Sequence, residues 1–285
     1  MALGGRRLVA VQSHGNVGVH DADCPHRGAH LGFGGHLEKG ATAVICPFHN
    51  YRIGLCEAAH SEFRVAQHDS LTVGDIVFAR LSSSADCGFS SMIRHLSKTH
   101  SIIPGYTLAV RAPACLVIEN GFDQAHFRPV HGVNGKAFET QTDSEGALVL
   151  TGHLYIEIDL SSKGKSRLSS GTKREVEMPF VLRSFSPGLS LLKVNGECPY
   201  AMIVGATPDE PRTSIIRIAL ALPKDVYGEV PPADLVSHLL DRSKKGIECD
   251  KAIWERLSLS TTNNLTAADA PILAFREFCK SFERA

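Results

Sequence analysis

The sequence predicts an α+β fold in two parts: a small all-β domain over residues 1–84, and a larger domain over residues 85–285 that joins a mostly antiparallel sheet to helices. Three observations carry this. Short apolar runs broken by Gly, Asn, Asp and Ser turns fill the first eighty or so residues, around two loops that each hold a cysteine and a histidine. A polar stretch opens at Ser82-Ser83-Ser84, continues at Asp86–Gly88, and marks a domain boundary near residue 84. Five longer β-branched or alternating runs then lead into two helical patterns near the C-terminus.

The 30 basic side chains offset the 30 acidic ones, which gives no electrostatic ground for a nucleic-acid or anionic-membrane partner. No apolar run approaches the roughly 18–20 residues that span a bilayer. After Arg6 and Arg7 only residues 8–11 form an apolar run. A secretory signal needs roughly 7–15. The expected location is the cytoplasm. In a chain this long with no export signal, a disulfide framework is the weaker reading of the eight cysteines. Two of them, Cys24 and Cys46, stand beside histidines.

Residues 7–12 and 17–20 read as strands around a turn at Ser13-His14-Gly15-Asn16, and residues 42–45 as another strand. The loops are Cys24-Pro25-His26-Arg27-Gly28 and Cys46-Pro47-Phe48-His49: Cys-x-His, nineteen residues, Cys-x2-His. Each offers one thiolate and one imidazole, so two facing loops can close on a metal group. Zinc accepts a Cys2His2 set, but zinc fingers usually pair Cys with Cys and His with His along the chain. One of each per loop suits a two-iron cluster with two cysteines on one iron and two histidines on the other, the Rieske [2Fe–2S] arrangement. Residues 71–73 and 76–81 read as the last strands of this part, joined at Gly74-Asp75.

These loops resemble the Rieske domain family, whose ligand loops read Cys-Pro-His-x-Gly and Cys-Pro-x-His. The resemblance implies that Cys24, His26, Cys46 and His49 hold the cluster. His49-Asn50-Tyr51 stands where ring-hydroxylating members usually carry His-Gly-Trp. Asn tolerates positive φ better than most residues, so the loop is expected to turn as it does with Gly. Tyr51 is expected to replace a buried ring.

Pro104-Gly105 reads as a turn. Beyond Pro113, Leu116, Val117, Ile118, Phe122 and Phe127 form an apolar stripe at helical spacing. If residues 115–126 are helical, Glu119, Asp123 and His126 share a face. His131 lies past Pro129, where the helical register is expected to break. Two histidines and one carboxylate filling a face of an octahedron bind non-haem Fe(II) and leave positions open to exchangeable ligands. Taken alone, Asp123-x2-His126-x4-His131 suits two histidines satisfied by their neighbours. Following the Cys/His loops, and preceded by Glu119-Asn120, it resembles the same stretch of the Rieske non-haem iron oxygenases. That resemblance implies His126 and His131 as iron ligands.

Residues 148–160, 175–183, 189–194, 201–206 and 214–222 read as strands, and residues 231–241 and 248–257 as helices. The run Asp250-Lys251-Ala252-Ile253-Trp254, followed by Asp269-Ala270-Pro271 and Phe275-Arg276-Glu277-Phe278, resembles the C-terminal part of oxygenases related to 3-ketosteroid 9α-hydroxylase. There an Asp just before Ile-Trp supplies the third iron ligand, which implies Asp250 here. Asp269 is the runner-up, though its place before Ala270-Pro271 suits a helix N-cap. Trp254, the single tryptophan, reads as core. The fold implied for this domain is a helix-grip, a curved antiparallel sheet wrapped on a long helix.

What the resemblance implies as a whole is an oxygenase. It would use dioxygen, and electrons from a separate NAD(P)H-dependent reductase or ferredoxin, to hydroxylate or oxidatively dealkylate a hydrophobic ring-containing small molecule. No glycine-rich nucleotide loop opens a helix in this chain, so the nicotinamide belongs to the partner. The family's assembly is a head-to-tail homotrimer in which an acid links the cluster histidine of one subunit to the iron histidine of the next. Asp123 and His49 are the matching residues. The Cys/His loops alone would also suit an electron carrier without oxygenase activity; His126, His131 and Asp250 argue against that reading. Glu119 and Asn120 stand near the iron without an assigned task.

Overall fold

The structure is a computed structural model that describes residues 2–3, 6–13, 15–81, 86–159, 173–210, 212–258 and 264–283. The linker expected at residues 82–84, and His14 of the first expected turn, lie outside the described residues. The chain divides into two compact units, Met1–Ser84 with Pro208–Thr213, and Ala85–Thr207 with Ser214–Ala285.

The first unit is all-β. Strands β1 (Ala2–Leu3), β2 (Arg6–Ser13), β3 (Asn16–Asp21), β8 (Gln67–Val73) and β9 (Ile76–Arg80) form one sheet in that order. The small strands β4 (His36–Leu37), β5 (Ala43–Ile45), β6 (Arg52–Gly54) and β7 (Phe63–Arg64) form a second. Gly74 takes φ 55° in the tight β8–β9 turn, a conformation that costs glycine little. The core around the two Cys/His loops is small: Val11, Leu31, Val44, Ile53 and Leu55, together with Cys24 and Cys46.

The second unit is built on a seven-stranded antiparallel sheet that curls, in the order β10-β16-β15-β14-β13-β12-β11. Its strands are β10 (His100–Val110), β11 (Asn134–Thr142), β12 (Leu148–Asp159), β13 (Lys173–Ser186), β14 (Leu189–Val194), β15 (Tyr200–Glu210) and β16 (Thr213–Pro223). The alternating side chains of β13 serve two cores. Phe185 meets Phe89 of α1 (Phe89–Thr99), with ring centroids 5.3 Å apart. Phe180 and Leu182 point the other way, into a core shared with Val117, Ile118, Phe122, Trp254 and Phe275. Those come from α2 (Ala114–Glu119), the 3-10 turn Asn120–Phe122, α5 (Ala233–Trp254) and α6 (Ala270–Glu283). The short helices α3 (Phe127–His131) and α4 (Lys224–Tyr227) complete the unit.

Four local expectations are corrected. Pro104-Gly105 is not a turn: it lies inside β10, where the register with β16 shifts between Pro104 and Thr107. A bulge absorbs the proline. A Cβ on Gly105 would come within 2.8 Å of the Ile218 carbonyl and 2.7 Å of Leu240, so the glycine permits close approach rather than reversal. The two helices expected over 231–241 and 248–257 are one, α5. Its Gly246 costs about 1 kcal/mol against Ala, too little to break a helix packed along its length. The helix expected over 115–126 ends at Glu119 and tightens into the 3-10 turn, after which Asp123 is extended at φ −86° and ψ 95°. Pro129 does not break a register: it is the third residue of α3, where its missing N–H is no loss. Helix α1 and strands β10 and β11 were not anticipated from the sequence pattern.

Candidate metal centres

The two cysteine–histidine loops repeat one backbone design. The Gly28 N–H donates to the Cys24 carbonyl at 2.8 Å, and the Cys24 N–H to the Ala29 carbonyl at 2.9 Å. In the second loop the Asn50 N–H donates to the Cys46 carbonyl at 3.1 Å, and the Cys46 N–H to the Tyr51 carbonyl at 2.8 Å. Gly28 and Asn50, each fourth after its cysteine, have φ of 72° and 55°. Asn50 therefore makes the left-handed turn that glycine makes in its twin.

Both cysteines are free and buried, whereas His26 and His49 are exposed with ring centroids 4.7 Å apart. The N–H groups of His26 and Arg27 reach the Cys24 sulfur, and those of Phe48 and His49 the Cys46 sulfur. Burial pushes the Cys24 thiol up. Burial also opposes ionisation of Cys46, yet the two N–H donors and the Cys24 thiol pull it down. Adjacent buried sulfurs with N–H donors on one side, and two exposed imidazoles on the other, fit a two-iron cluster with its cysteine iron inside and its histidine iron at the surface. Tyr51 is 41% exposed rather than buried. Its ring stands edge-on to His26 at 4.7 Å.

The second constellation forms where α3 meets α5. The Asp123 carboxylate accepts the Ala125 N–H at 3.0 Å, a local turn that leads the chain into α3. His126 caps α3 and His131 ends it, so one helical turn carries both rings. Helix α5 brings Asp250, 6% exposed. The His126 and His131 Nε2 atoms lie 3.1 Å apart, and Asp250 Oδ1 is 3.2 Å from the second and 3.8 Å from the first. The three side chains form a set able to hold a metal ion. Two imidazole lone pairs and a carboxylate crowded this closely repel one another unless a cation or proton lies between them, so the donor set fits a divalent iron.

The surrounding residues settle where the other expected groups go. His126 Nδ1 is buried without a hydrogen bond and faces Asp123 Oδ2 at 3.6 Å, an ion-pair distance. The His126 ring holds the Asp123 carboxyl below its usual range. Glu119 is held in a two-pronged pair with Arg276, at 2.7 and 2.9 Å. Asp269 is the third residue of a capping box with Thr266 as N-cap, and so is tied to the start of the C-terminal helix. Sequence reasoning missed two contacts. Trp254, besides packing in the core, donates its indole N–H to Asn120 Oδ1 at 3.2 Å, and Asn120 Nδ2 meets His126 Nε2 at 3.1 Å. Residues 134 positions apart leave no sequence signal of such a bond.

Known proteins with the same pattern decide the family. The 3-ketosteroid 9α-hydroxylase C-terminal domain profile matches residues 83–282, and the Rieske [2Fe–2S] domain profile matches residues 1–69. The chain belongs to the Rieske oxygenases. A Rieske oxygenase is an oxidoreductase that works with a [2Fe–2S] cluster and a mononuclear iron, which removes zinc as the occupant of the first loops. No curated protein matches the sequence. Solved structures share the oxygenase fold. NdmB of Pseudomonas putida CBB5 is 17% identical with a TM-score of 0.68, covering 99% of this chain and 84% of its own. Dicamba monooxygenase bound to dicamba is 13% identical with a TM-score of 0.67, covering 99% and 91%. The reduced complex of oxygenase and ferredoxin in carbazole 1,9a-dioxygenase gives 15% identity and a TM-score of 0.69, covering 97% and 82%. Among the described residues no helix of this oxygenase is long and apolar enough to cross a membrane.

Proposed function

We propose that Cys24, His26, Cys46 and His49 bind the Rieske cluster and that His126, His131 and Asp250 bind the mononuclear iron. With dioxygen, and electrons from a separate NAD(P)H-dependent reductase or ferredoxin, the enzyme hydroxylates or oxidatively dealkylates a hydrophobic ring compound. The observation that carries this is the meeting of two Nε2 atoms and one carboxylate oxygen on α3 and α5. When bound, the two iron groups supply electron storage and dioxygen activation.

The chain's own residues do the rest. Tyr106, Leu108, Leu154, Leu192, Met202 and Val204 are only partly buried where they pack against the core beneath α2, α5 and α6. They offer an apolar surface that takes a ring and excludes water. The Tyr106 hydroxyl, pushed up to about 12 by burial, stays protonated and bonds Ser243 at 2.9 Å. It gives that surface a neutral polar group. Asp123 orients the Nδ1 side of His126. In a head-to-tail homotrimer it links that ring to His49 of the partner subunit. Two functional domains, residues 1–84 and 85–285, divide electron entry from substrate oxidation. The six cysteines besides Cys24 and Cys46 are free of disulfides, which suits the reducing cytoplasm. The neighbours that hold caffeine and dicamba support a small ring compound as substrate.

Iron and sulfide analysis, with product analysis on a panel of ring compounds and a surrogate reductase, tests this. The expected result is a third iron beyond the two of the cluster, lost in Asp250→Ala while the cluster spectrum stays, and oxygen incorporation into at least one compound. Cluster iron alone, with no oxygenated product, would instead make the chain an electron carrier.

A further inference from the structure

We propose that Trp254 and Asn120 are positioning residues that select the tautomer of His126. The inference rests on His126, His131 and Asp250 being the iron site. An indole N–H can only donate. The Asn120 atom 3.2 Å from Trp254 Nε1 is therefore its carbonyl oxygen, Oδ1. That leaves the amide NH2 facing His126 Nε2 at 3.1 Å. An NH2 group can only donate in turn, so Nε2 accepts and carries the lone pair. The ring proton then sits on Nδ1, the atom that faces Asp123.

This is the tautomer the metal needs. The same Nε2 atom lies 3.1 Å from His131 Nε2 and 3.8 Å from Asp250 Oδ1. Trp254 lies four residues after Asp250, one turn along α5, so a single helix supplies both a carboxylate and the group that fixes the ring opposite. Trp254 is 5% exposed, and its N–H has Asn120 as partner. A bound ion would take the Nε2 lone pair in place of the amide, so the Asn120 bond would order the ring in the metal-free chain.

Replacing the indole by a ring without N–H frees the amide to rotate. Asn120 can then present Oδ1 to Nε2 and favour a proton there, which blocks coordination through that atom. The test is Co(II) titration of the full chain, cluster intact and mononuclear iron removed, following Co(II) d–d absorption. Trp254→Phe is expected to weaken binding roughly 10- to 100-fold and to alter the d–d bands, with the cluster's visible spectrum unchanged. Asn120→Ala removes both the correct and the wrong partner, so it weakens binding less. Trp254→Phe/Asn120→Ala is expected to recover to the Asn120→Ala value, whereas a merely structural tryptophan would give additive losses. Unchanged binding in Trp254→Phe, or additive losses in the double variant, would overturn the proposal. So would 15N NMR of the metal-free wild-type chain showing the His126 proton on Nε2, a measurement that needs no variant. Failure of the wild-type chain to bind Co(II) would sink the iron-site reading itself.

Discussion

Asp123 and Asn120 approach His126 from its two nitrogens, and the difference between them is charge. Asp123 Oδ2 faces Nδ1, a buried and otherwise unpartnered ring atom, at 3.6 Å. Asp123→Asn keeps the shape and removes the charge. It is expected to retain both iron groups by metal analysis while turnover falls at least about tenfold, in line with other groups that act through a ligand. Full activity would end the bridging role. Gly246 tests the other histidine. A Cβ there would meet the His131 ring at 3.9 Å, an ordinary contact. Gly246→Ala is therefore expected to stabilise α5 by roughly 0.5–1 kcal/mol with iron content unchanged. Loss of iron or a lower melting temperature would show that His131 needs the gap.

At the scale of elements, the strands around Phe138 bear on the same helix. Its ring lies over Gly135 of β11 and Gly152 of β12 and touches Phe127 of α3 and Phe180 of β13. A Cβ on Gly152 would overlap that ring. Gly152→Ala is expected to cost roughly 1–3 kcal/mol in urea unfolding and to lower iron content, because the displaced ring pushes on the helix that ends in His131. Adding Phe138→Leu should recover part of both losses; strict additivity would disprove the link. This strand pair also shows what a sequence hides. The runs at β12 to β16 alternate or are apolar throughout, so their pattern marks them. Strand β11 is a polar edge, Asn134-Gly135-Lys136-Ala137-Phe138-Glu139, with a bulge and Ala137 at φ 53°. Its strand character comes from pairing with β12, not from its residues. Helix α1 does carry a sequence signal: Phe89, Ile93 and Leu96 follow helical spacing and are buried. The Cys/His loops could be read because local spacing carries them, whereas the spacing of His126 and His131 alone suits satisfied histidines and their reading as ligands comes from the resemblance. Asp250 needed the resemblance, and Trp254–Asn120 needed the structure.

For the whole molecule, the contrast between the two cores predicts how the chain comes apart. The core of the first unit contains seven buried residues, and two of them are Cys24 and Cys46. Its strands β4 to β7 are two or three residues long, too short to hold themselves without the loops they carry. The core of the second unit includes Leu150, Phe122, Ile216 and Phe275 and owes nothing to the cluster residues. With Cys24 and Cys46 as its proposed ligands, cluster assembly would be part of folding in the first unit alone, as for small metal-bound domains whose apo forms lose structure. Removing the cluster, by chelation under reducing conditions or by Cys46→Ser, is expected to abolish the lower-temperature step of a two-step thermal unfolding followed by circular dichroism. Cluster absorbance in the intact chain should vanish within that same step. The upper step, reporting the curled sheet with α5 and α6, should shift by no more than about 4 °C, the size of a change near 1 kcal/mol in a domain of this length. A single transition that moves as one on cluster removal would show instead that the two cores unfold as a unit.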